Sequence, residues 1–464
     1  MRRMVAPPRS SANGASSSES HGAVPGRVWS GTLLQVGGRL FGALATFATL
    51  VILANHLEDA EFGRFTFFIA VFMVLDAVAD FGTGAVSVQR TATRPGEVAA
   101  TLRTARRIRL GAATAGFTLL AGYVVLAGEG GALWMSLAAL YPLTHALELS
   151  TVPFKNRIDW RMPVLARLAA TALRFGLIVF LWQLGVQGAA PFVLATAVGS
   201  SSANFMIHFA ARRELAGLPN RDAPPVPWRP FLLAAAPLGL AGLSQQAYFY
   251  VDNLFVRPLA GEELLGHYNA GVRLMSFSIM IAQYASLAAL PWFARRWADG
   301  ELGPALARLG QPLFLGAAVV SGLAVPHAAW LLETLFKPSF VDAATSLSLL
   351  LFAMAVIYFG SLHLTAVIAT GRTRTASWIT VGALGINVVL NALLVPDHGI
   401  DGAALATVIT EGAVAVFAAV ALWRAGARSL AHRPLLWVAA IGAGALAWLA
   451  SSQVTLPDVR GFFG

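Results

Sequence analysis

The chain has 464 residues, of which 57% are hydrophobic and 12% are charged, and its mean hydropathy is +0.66. Soluble domains carry about 25% charged residues, so this composition excludes an ordinary soluble protein and predicts an integral membrane protein. The sequence has no cysteine, which excludes disulfides and thiolate metal sites. The net charge of +10 does not indicate nucleic-acid binding, because the basic residues cluster in short gaps between apolar segments. We expect no nucleic-acid partner and no cofactor.

Residues 1–27 are rich in Ser, Gly and Pro, and this composition predicts a disordered tail. Apolar windows of about 20 residues follow, the length that a helix needs to cross about 30 Å of hydrocarbon. The predicted membrane windows are 29–54, 65–88, 109–128, 132–153, 163–184, 189–209, 230–256, 266–292, 312–334, 345–369, 376–395, 402–422 and 434–453.

The basic residues of the gaps alternate between the two sides of this map. Gaps on the side of the N-terminus hold most of the arginines, whereas the opposite gaps and flanks hold only Arg64, Arg257, Lys337 and Arg460. Cytoplasmic loops carry this excess of basic residues. The pattern therefore predicts a multi-pass membrane protein with the N-terminus in the cytoplasm.

The chain divides into two related halves. The Pro-rich gap RDAPPVPWRP at 221–230 indicates a linker, and GVQGAA at 185–190 matches GIDGAA at 399–404. Since the matched segments fall in corresponding loops, the repeat would be parallel. We predict an all-α membrane protein built from the following parts: a cytoplasmic tail at 1–27, an N-terminal lobe with helices 1–6 at 28–220, a C-terminal lobe with helices 7–12 at 221–424, and an additional membrane helix and tail at 425–464.

Four stretches resemble a known family. ILANHLEDAEFGRFTFFIAVFMVLDAVADFGTG, with Phe62-Gly63 and Asp80-Phe81-Gly82, looks like the start of the polysaccharide-biosynthesis flippases of the MOP (MATE-like) exporter superfamily. QQAYFYVDNLFVRPLAGEELLGHYNAGVRL is similar to the hairpin of their seventh and eighth helices, and LFKPSFVDAATSLSLL and VPDHGIDGAALATVITE resemble later loops. The resemblance implies two six-helix lobes with about 12–14 transmembrane helices around a central cavity. It also implies a lipid-linked oligosaccharide as cargo, with membrane lipids and possible polymerase and glycosyltransferase partners.

Ionisable residues inside membrane windows are candidate site residues, because they face the bundle interior or a wet cavity. In the first lobe, Arg39 could pair with Asp76 or Asp80, and Arg167 could pair with Glu148; the alternatives are roles in cargo binding or proton coupling. Arg174 lies near mid-depth with no acidic residue at its level on an adjacent helix, so we expect it to line the cavity.

The second lobe offers a polar stretch before the seventh hairpin. Asp252 and Arg273 could pair near the outer side, and Gln245, Gln246 and Tyr248 could bind sugar hydroxyls or neighbouring helices. Glu411 could bind cargo, carry a proton or form a structural contact.

These residues predict a wet, basic cavity that binds an anionic headgroup, since a guanidinium suits phosphate oxygens. The predicted function is a flippase that moves a lipid-linked, polyprenyl-diphosphate oligosaccharide by alternating access, without breaking bonds. No Walker A sequence is present, because neither lysine lies between Gly and Ser or Thr. A MATE-type drug or cation antiporter would need an acidic cavity. A membrane glycosyltransferase, polymerase or ligase would need a long catalytic loop, and no gap provides one.

Overall fold

The structure is a computed structural model that describes residues 23–128, 131–157, 159–218 and 224–427. Within these ranges the chain folds into helices and short 3-10 turns, without a β-strand. The helices are α1 (Ala23–His56), α2 (Asp59–Asp80), α3 (Thr83–Thr93), α4 (Val98–Leu126), α5 (Ala132–Ala138), α6 (Tyr141–Glu148), α7 (Val152–Asn156), α8 (Arg161–Gln183), α9 (Ala189–Ala216), α10 (Trp228–Tyr250), α11 (Asp252–Ala260), α12 (Glu262–Ala298), α13 (Leu302–Ala324), α14 (Ala328–Leu335), α15 (Ala344–Ala369) and α16 (Thr373–Arg424).

The first twelve predicted windows are largely helical, but three of them besides 132–153 extend over two consecutive helices: 65–88 covers parts of α2 and α3, 230–256 parts of α10 and α11, and 312–334 parts of α13 and α14. Nine helical stretches of the described chain are long and apolar enough to cross a membrane, and the protein is a multi-pass membrane protein. One of the nine, Thr373–Arg424, contains both the eleventh and the twelfth window, which are separated by non-helical geometry at Gly399 (φ 53°, ψ −131°). The predicted continuous helix at 132–153 is wrong, because a 3-10 turn at Leu149–Thr151 and a break near 139–140 divide it into α5, α6 and α7.

Two predicted segments extend beyond the described ranges. α1 begins at Ala23, inside the segment 1–27 that the composition assigned to the tail, and residues 1–22 are outside the described part of the chain. The thirteenth window, 434–453, also lies outside the described residues.

The helices form two lobes, here called the N-lobe (α1–α9) and the C-lobe (α10–α16), which meet along α2. This helix packs against α12 and α10. A Cβ atom at Gly63 would lie 1.7 Å from the backbone oxygen of Glu262, and one at Gly239 would lie 2.5 Å from the oxygen of Phe81. Small residues let membrane helices approach this closely, so glycine at positions 63 and 239 fixes how near the lobes can come.

Ion pairs join the lobes on the face of the protein opposite to the start of α1, here called the far face. Arg64 of α2 donates to Glu262 of α12 at 2.9 Å. Asp59 of α2 accepts from Lys337 at 3.0 Å and lies 3.1 Å from Nε2 of His267. The lobes are therefore closed against each other at the far face.

Candidate transport cavities

The N-lobe contains a basic cavity of about 400 Å³ between α1, α7 and α8. Arg39, Lys155 and Arg167 line it, together with Trp160, Thr151 and Thr171. The described residues that line it include no carboxylate. This cavity, here called the N-lobe cavity, agrees with the prediction of a basic interior.

A charge network lies beside the N-lobe cavity and is centred on Arg109. The Arg109 side chain is 2% exposed and pairs with Asp80 and, at 3.2 Å, with Glu148. It also donates to the Thr83 hydroxyl and to the backbone oxygen of His145, each at 2.9 Å. The network therefore ties α2, α4 and α6 together through one buried cation.

The predicted pairing of Arg39 with Asp76 or Asp80 is wrong. Asp80 is held by Arg109, and Asp76 lies 2.7 Å from Nδ1 of His145. The Arg39 guanidinium instead lies 5.7 Å from the ring centre of Tyr284 on α12. Arg39 is thus free of carboxylates among the described residues and sits where the two lobes meet.

The predicted pairing of Arg167 with Glu148 is confirmed, at 3.0 Å. The Lys155 side chain, unlike that of Arg167, has no hydrogen bond or ion pair with the described part of the chain, and the residue is half-buried. Burial lowers the pKa of Lys155; Glu148 raises it, while Arg167 and Arg109 lower it further. An anion in the N-lobe cavity would therefore stabilise the charged form of Lys155.

Arg174 and Arg273 lie in membrane-spanning helices of opposite lobes. Arg174 donates to the Thr46 hydroxyl at 2.8 Å, and its buried Nε has no hydrogen-bond partner. The Cβ atom of Arg174 packs against Gly199 of α9; a Cβ atom added at position 199 would lie 2.4 Å from it. The half-buried Arg273 forms no hydrogen bond or ion pair with the described residues, and it lies within electrostatic range of Arg174. Neither arginine lines either of the two cavities described here.

The C-lobe contains a second cavity, of about 450 Å³, here called the C-lobe cavity. Gln245, Tyr248, Asp252 and Glu411 line it, whereas Gln246 is half-buried and lines neither cavity. No basic residue is among the described residues that line it. The prediction of a basic cavity therefore does not hold for the C-lobe cavity.

Asp252 belongs to a buried polar cluster in the C-lobe cavity, and its predicted pairing with Arg273 is wrong. The carboxylate accepts from the Tyr268 hydroxyl at 2.7 Å and from Nδ2 of Asn391 at 2.8 Å. The Thr407 hydroxyl lies 3.5 Å away, and Oδ1 of Asn391 is buried without a partner. Carboxylate, amide and hydroxyl oxygens suit a hard cation, so the cluster has the chemistry to hold a proton or a small cation.

Glu411 lies in the same cavity and accepts from the Tyr248 hydroxyl at 2.6 Å. Tyr248, on α10, precedes Asp252, the first residue of α11, by four positions. Thr407 precedes Glu411 by four positions on α16. The two carboxylates are therefore placed at successive helical turns of one cavity.

One further group of side chains could hold a metal ion within the described ranges. Asp59, Glu263 and His267 present ligand atoms within 4.8 Å of one another at the far face. Because the Lys337 ammonium already lies 3.0 Å from Asp59, we interpret this group as part of the contact between the lobes.

Sequence reasoning missed Arg109, because it stands at the first position of the predicted window 109–128 and was counted with the basic residues of the preceding gap. In the structure it lies inside α4 and is buried on the same helical face as Thr101 and Ala105, which are each 0% exposed. The spacing of four residues among positions 101, 105 and 109 is the signal that could have identified it. The contact of Asn391 with Asp252 was not predicted, because it joins residues that are 139 positions apart in the chain.

Comparison with known proteins agrees with this architecture. Residues 28–297 match the model of the family described as "Polysaccharide biosynthesis protein". No curated protein sequence matches the chain.

Several solved structures have the same fold. The structure titled "Lipid II flippase MurJ, inward closed conformation" is similar at a TM-score of 0.73 and 12% identity, over 93% of this chain and 95% of that one. An inward-facing multidrug resistance MATE family transporter of the MOP superfamily is similar at 0.66 and 14%, over 89% and 96%. A MOP superfamily transporter from Pyrococcus furiosus is similar at 0.53 and 14%, over 93% and 95%. The fold is thus the two-lobe fold shared by these transporters. The family model matches more than half of this chain, so the chain belongs to the polysaccharide biosynthesis protein family.

Proposed function

We propose that the protein is a flippase that moves a lipid-linked oligosaccharide, with a polyprenyl-diphosphate carrier, across the bacterial cytoplasmic membrane. The family match supports a role in polysaccharide biosynthesis. The fold of a lipid II flippase supports a lipid-linked cargo. The protein would act as a transporter and not as an enzyme, with membrane lipids around it and polymerases or glycosyltransferases as possible partners.

The observation that carries this proposal is the pair Arg174 and Arg273. An arginine in the middle of a membrane helix costs about 2.5–3.5 kcal/mol on insertion scales. Neither residue has a carboxylate partner among the described residues, and each comes from a different lobe. Two guanidinium groups, one on each lobe, suit a diphosphate, because their planar donors match phosphate oxygens.

The mechanism would be rocking of the two lobes without a covalent step. A sugar diphosphate loses its water in hydrocarbon. Arg174 and Arg273 would replace those hydrogen bonds at the diphosphate, and the polar and basic residues of the N-lobe cavity would replace them at the sugars. The lipid tail would stay in the bilayer and pass between α1 and α12, where Phe47 and Phe277 rings lie 5.6 Å apart. Opening of the far face would then require separation of Arg64 from Glu262 and of Lys337 from Asp59.

Replacing Arg174 with alanine tests the diphosphate site. We expect Arg174→Ala to leave the protein in the membrane and to lower flipping in proteoliposomes by about 10–100-fold, because a charge-assisted hydrogen bond contributes about 1.5–3 kcal/mol. Thr46→Val is the matched control, since it removes only the internal partner of Arg174. If Thr46→Val and Arg174→Ala reduce flipping equally, Arg174 acts in helix packing and the cargo site lies elsewhere.

The C-lobe cavity is proposed to couple transport to a cation gradient. Asp76 pairs with His145 and Asp80 pairs with Arg109. The only hydrogen-bond partner of the Glu411 carboxylate among the described residues is the Tyr248 hydroxyl, so no basic residue competes with a proton at Glu411. We expect Glu411→Gln to remove the stimulation of flipping by an imposed pH gradient and to retain exchange without a gradient. Glu58→Gln, at an exposed site, should keep the stimulation; a full response to the gradient in Glu411→Gln would exclude Glu411 from coupling.

A MATE-type cation antiporter is the second candidate, and the acidic C-lobe cavity favours it. A drug-like cation would bind near Asp252 and Glu411, where most of the lining is apolar. Uptake of an organic cation by everted vesicles, lost in Glu411→Gln and unaffected by Arg174→Ala, would support this candidate over the flippase.

A further inference from the structure

The N-lobe cavity has more positive charge than its surroundings neutralise. Beside it, the carboxylates of Asp80 and Glu148 are shared by Arg109 and Arg167. Lys155 and Arg39 remain without a carboxylate among the described residues, and both line the cavity. Two cations without a carboxylate hydrogen-bond partner among the described residues thus face a space of about 400 Å³.

The other lining residues do not suit a simple inorganic anion site. Trp160 provides a broad apolar ring with a single N–H donor, and Thr151 and Thr171 provide hydroxyls that both donate and accept. The lining is therefore part apolar, part neutral polar and part cationic. Pockets for small organic ligands cover about 300–1,000 Å³, and the N-lobe cavity falls in the lower part of this range.

A pyranose ring with a carboxylate presents the complementary chemistry. Its C–H face can lie on an indole, its hydroxyls can exchange hydrogen bonds with threonines, and its carboxylate can accept from an ammonium and a guanidinium. Arg39 also contacts Tyr284 of the C-lobe, so the cavity lies where a headgroup held between the lobes can reach it.

We propose that the N-lobe cavity is a subsite for an acidic sugar, so that the cargo is a lipid-linked oligosaccharide that contains a uronic acid or a similar carboxylated residue. This inference rests on the proposed flippase function and adds the class of sugar to it. The diphosphate is assigned to Arg174 and Arg273, and the sugar carboxylate to Lys155 and Arg39, so one cargo would use the two sites together.

The test uses purified full-length protein in proteoliposomes and two fluorescent cargoes. Both are polyprenyl-diphosphate disaccharides; one ends in glucuronate and the other in glucose. We expect the glucuronate cargo to flip at least about tenfold faster than the glucose cargo. A hydrogen bond to a charged group strengthens binding by at least about tenfold. Lys155→Met should reduce this preference to near unity, and Lys155→Arg, which keeps the charge, should retain most of it.

Arg157→Met is the matched control. Arg157 lies two residues from Lys155, pairs with Glu214 at 3.1 Å and does not line the cavity. We expect this variant to keep the preference for glucuronate. Since Lys155→Met and Arg157→Met each remove one cation from the same segment, a difference between them reports on the cavity and not on net charge.

The outcomes separate the two proposals. If wild-type protein flips both cargoes at equal rates, or if Lys155→Met keeps the preference, the acidic-sugar subsite is overturned while the flippase function stands. If neither cargo flips, the flippase function itself is contradicted. Competition against the glucuronate cargo adds a readout: methyl glucuronide should compete, and equal competition by inorganic phosphate would show a general anion site instead.

Discussion

Arg109→Met is expected to destabilise the protein by about 1.5–3 kcal/mol, because it removes hydrogen bonds between charged groups, while the Asp80 side chain left behind is 41% exposed and keeps part of its hydration. The Arg109 side chain is 2% exposed and bonds to groups on α2, α3 and α6. Glu148 would keep only Arg167 among its present arginine partners, and Asp80 would lose its guanidinium. Thermal denaturation in detergent, followed by size-exclusion chromatography, should show a marked fall in Tm and in the yield of monodisperse protein.

Arg107→Met is the control for this substitution. Arg107 is exposed on the same helix, and a change there should leave Tm close to that of the wild type. Adding Asp80→Asn to Arg109→Met should recover part of the lost stability, since it removes a charge that Arg109 no longer compensates. An Arg109→Met protein with a wild-type Tm would show that the network does not stabilise the N-lobe.

Gly63→Ala is expected to prevent the lobes from closing at the far face. The added Cβ would lie 1.7 Å from the backbone oxygen of Glu262, and neither backbone can move away without shifting a whole helix. Overpacking of this kind costs about 1–3 kcal/mol, which changes the ratio of closed to open far face by roughly 5–150-fold. Transport should fall, because alternating access needs both states.

Paired spin labels can measure this shift, and the absence of native cysteine makes labelling specific. Labels at Ala60→Cys and Leu259→Cys should report longer distances between the lobes in the Gly63→Ala background. Gly111→Ala is the control, because a Cβ at that position meets no atom within 4 Å. An unchanged distance distribution in Gly63→Ala would mean that α2 and α12 can adapt to the added methyl group.

The opposite charges of the two cavities suggest a division of roles between the lobes. The charged residues that line the N-lobe cavity are all basic, and those that line the C-lobe cavity are all acidic, among the described residues. An anionic cargo and a coupling cation could therefore bind in separate lobes and both influence the same rocking motion. Loss of either site would slow transport for a different reason, and the Lys155 and Glu411 variants, which change one residue in each cavity, separate these effects.

The sequence by itself determined the membrane location, the all-helical class and the approximate positions of most membrane-spanning helices. An apolar segment of about 20 residues is stable in lipid as an α-helix, because its backbone N–H and C=O groups must form their hydrogen bonds within the segment. It also identified the ionisable residues inside these windows, and the contact between Glu148 and Arg167 could be predicted because both lie at a similar depth on consecutive membrane segments.

Tertiary structure alone decided the partners of the other charged residues. Depth along a helix can be counted from the sequence, but the direction of a side chain around the helix and the identity of its neighbours depend on how the lobes pack. Asp252 therefore meets Asn391 and Tyr268 instead of Arg273, and Asp80 meets Arg109 instead of Arg39. The separation of basic and acidic cavities follows from the same packing, because each buried charge was placed by neighbours that are distant in the chain.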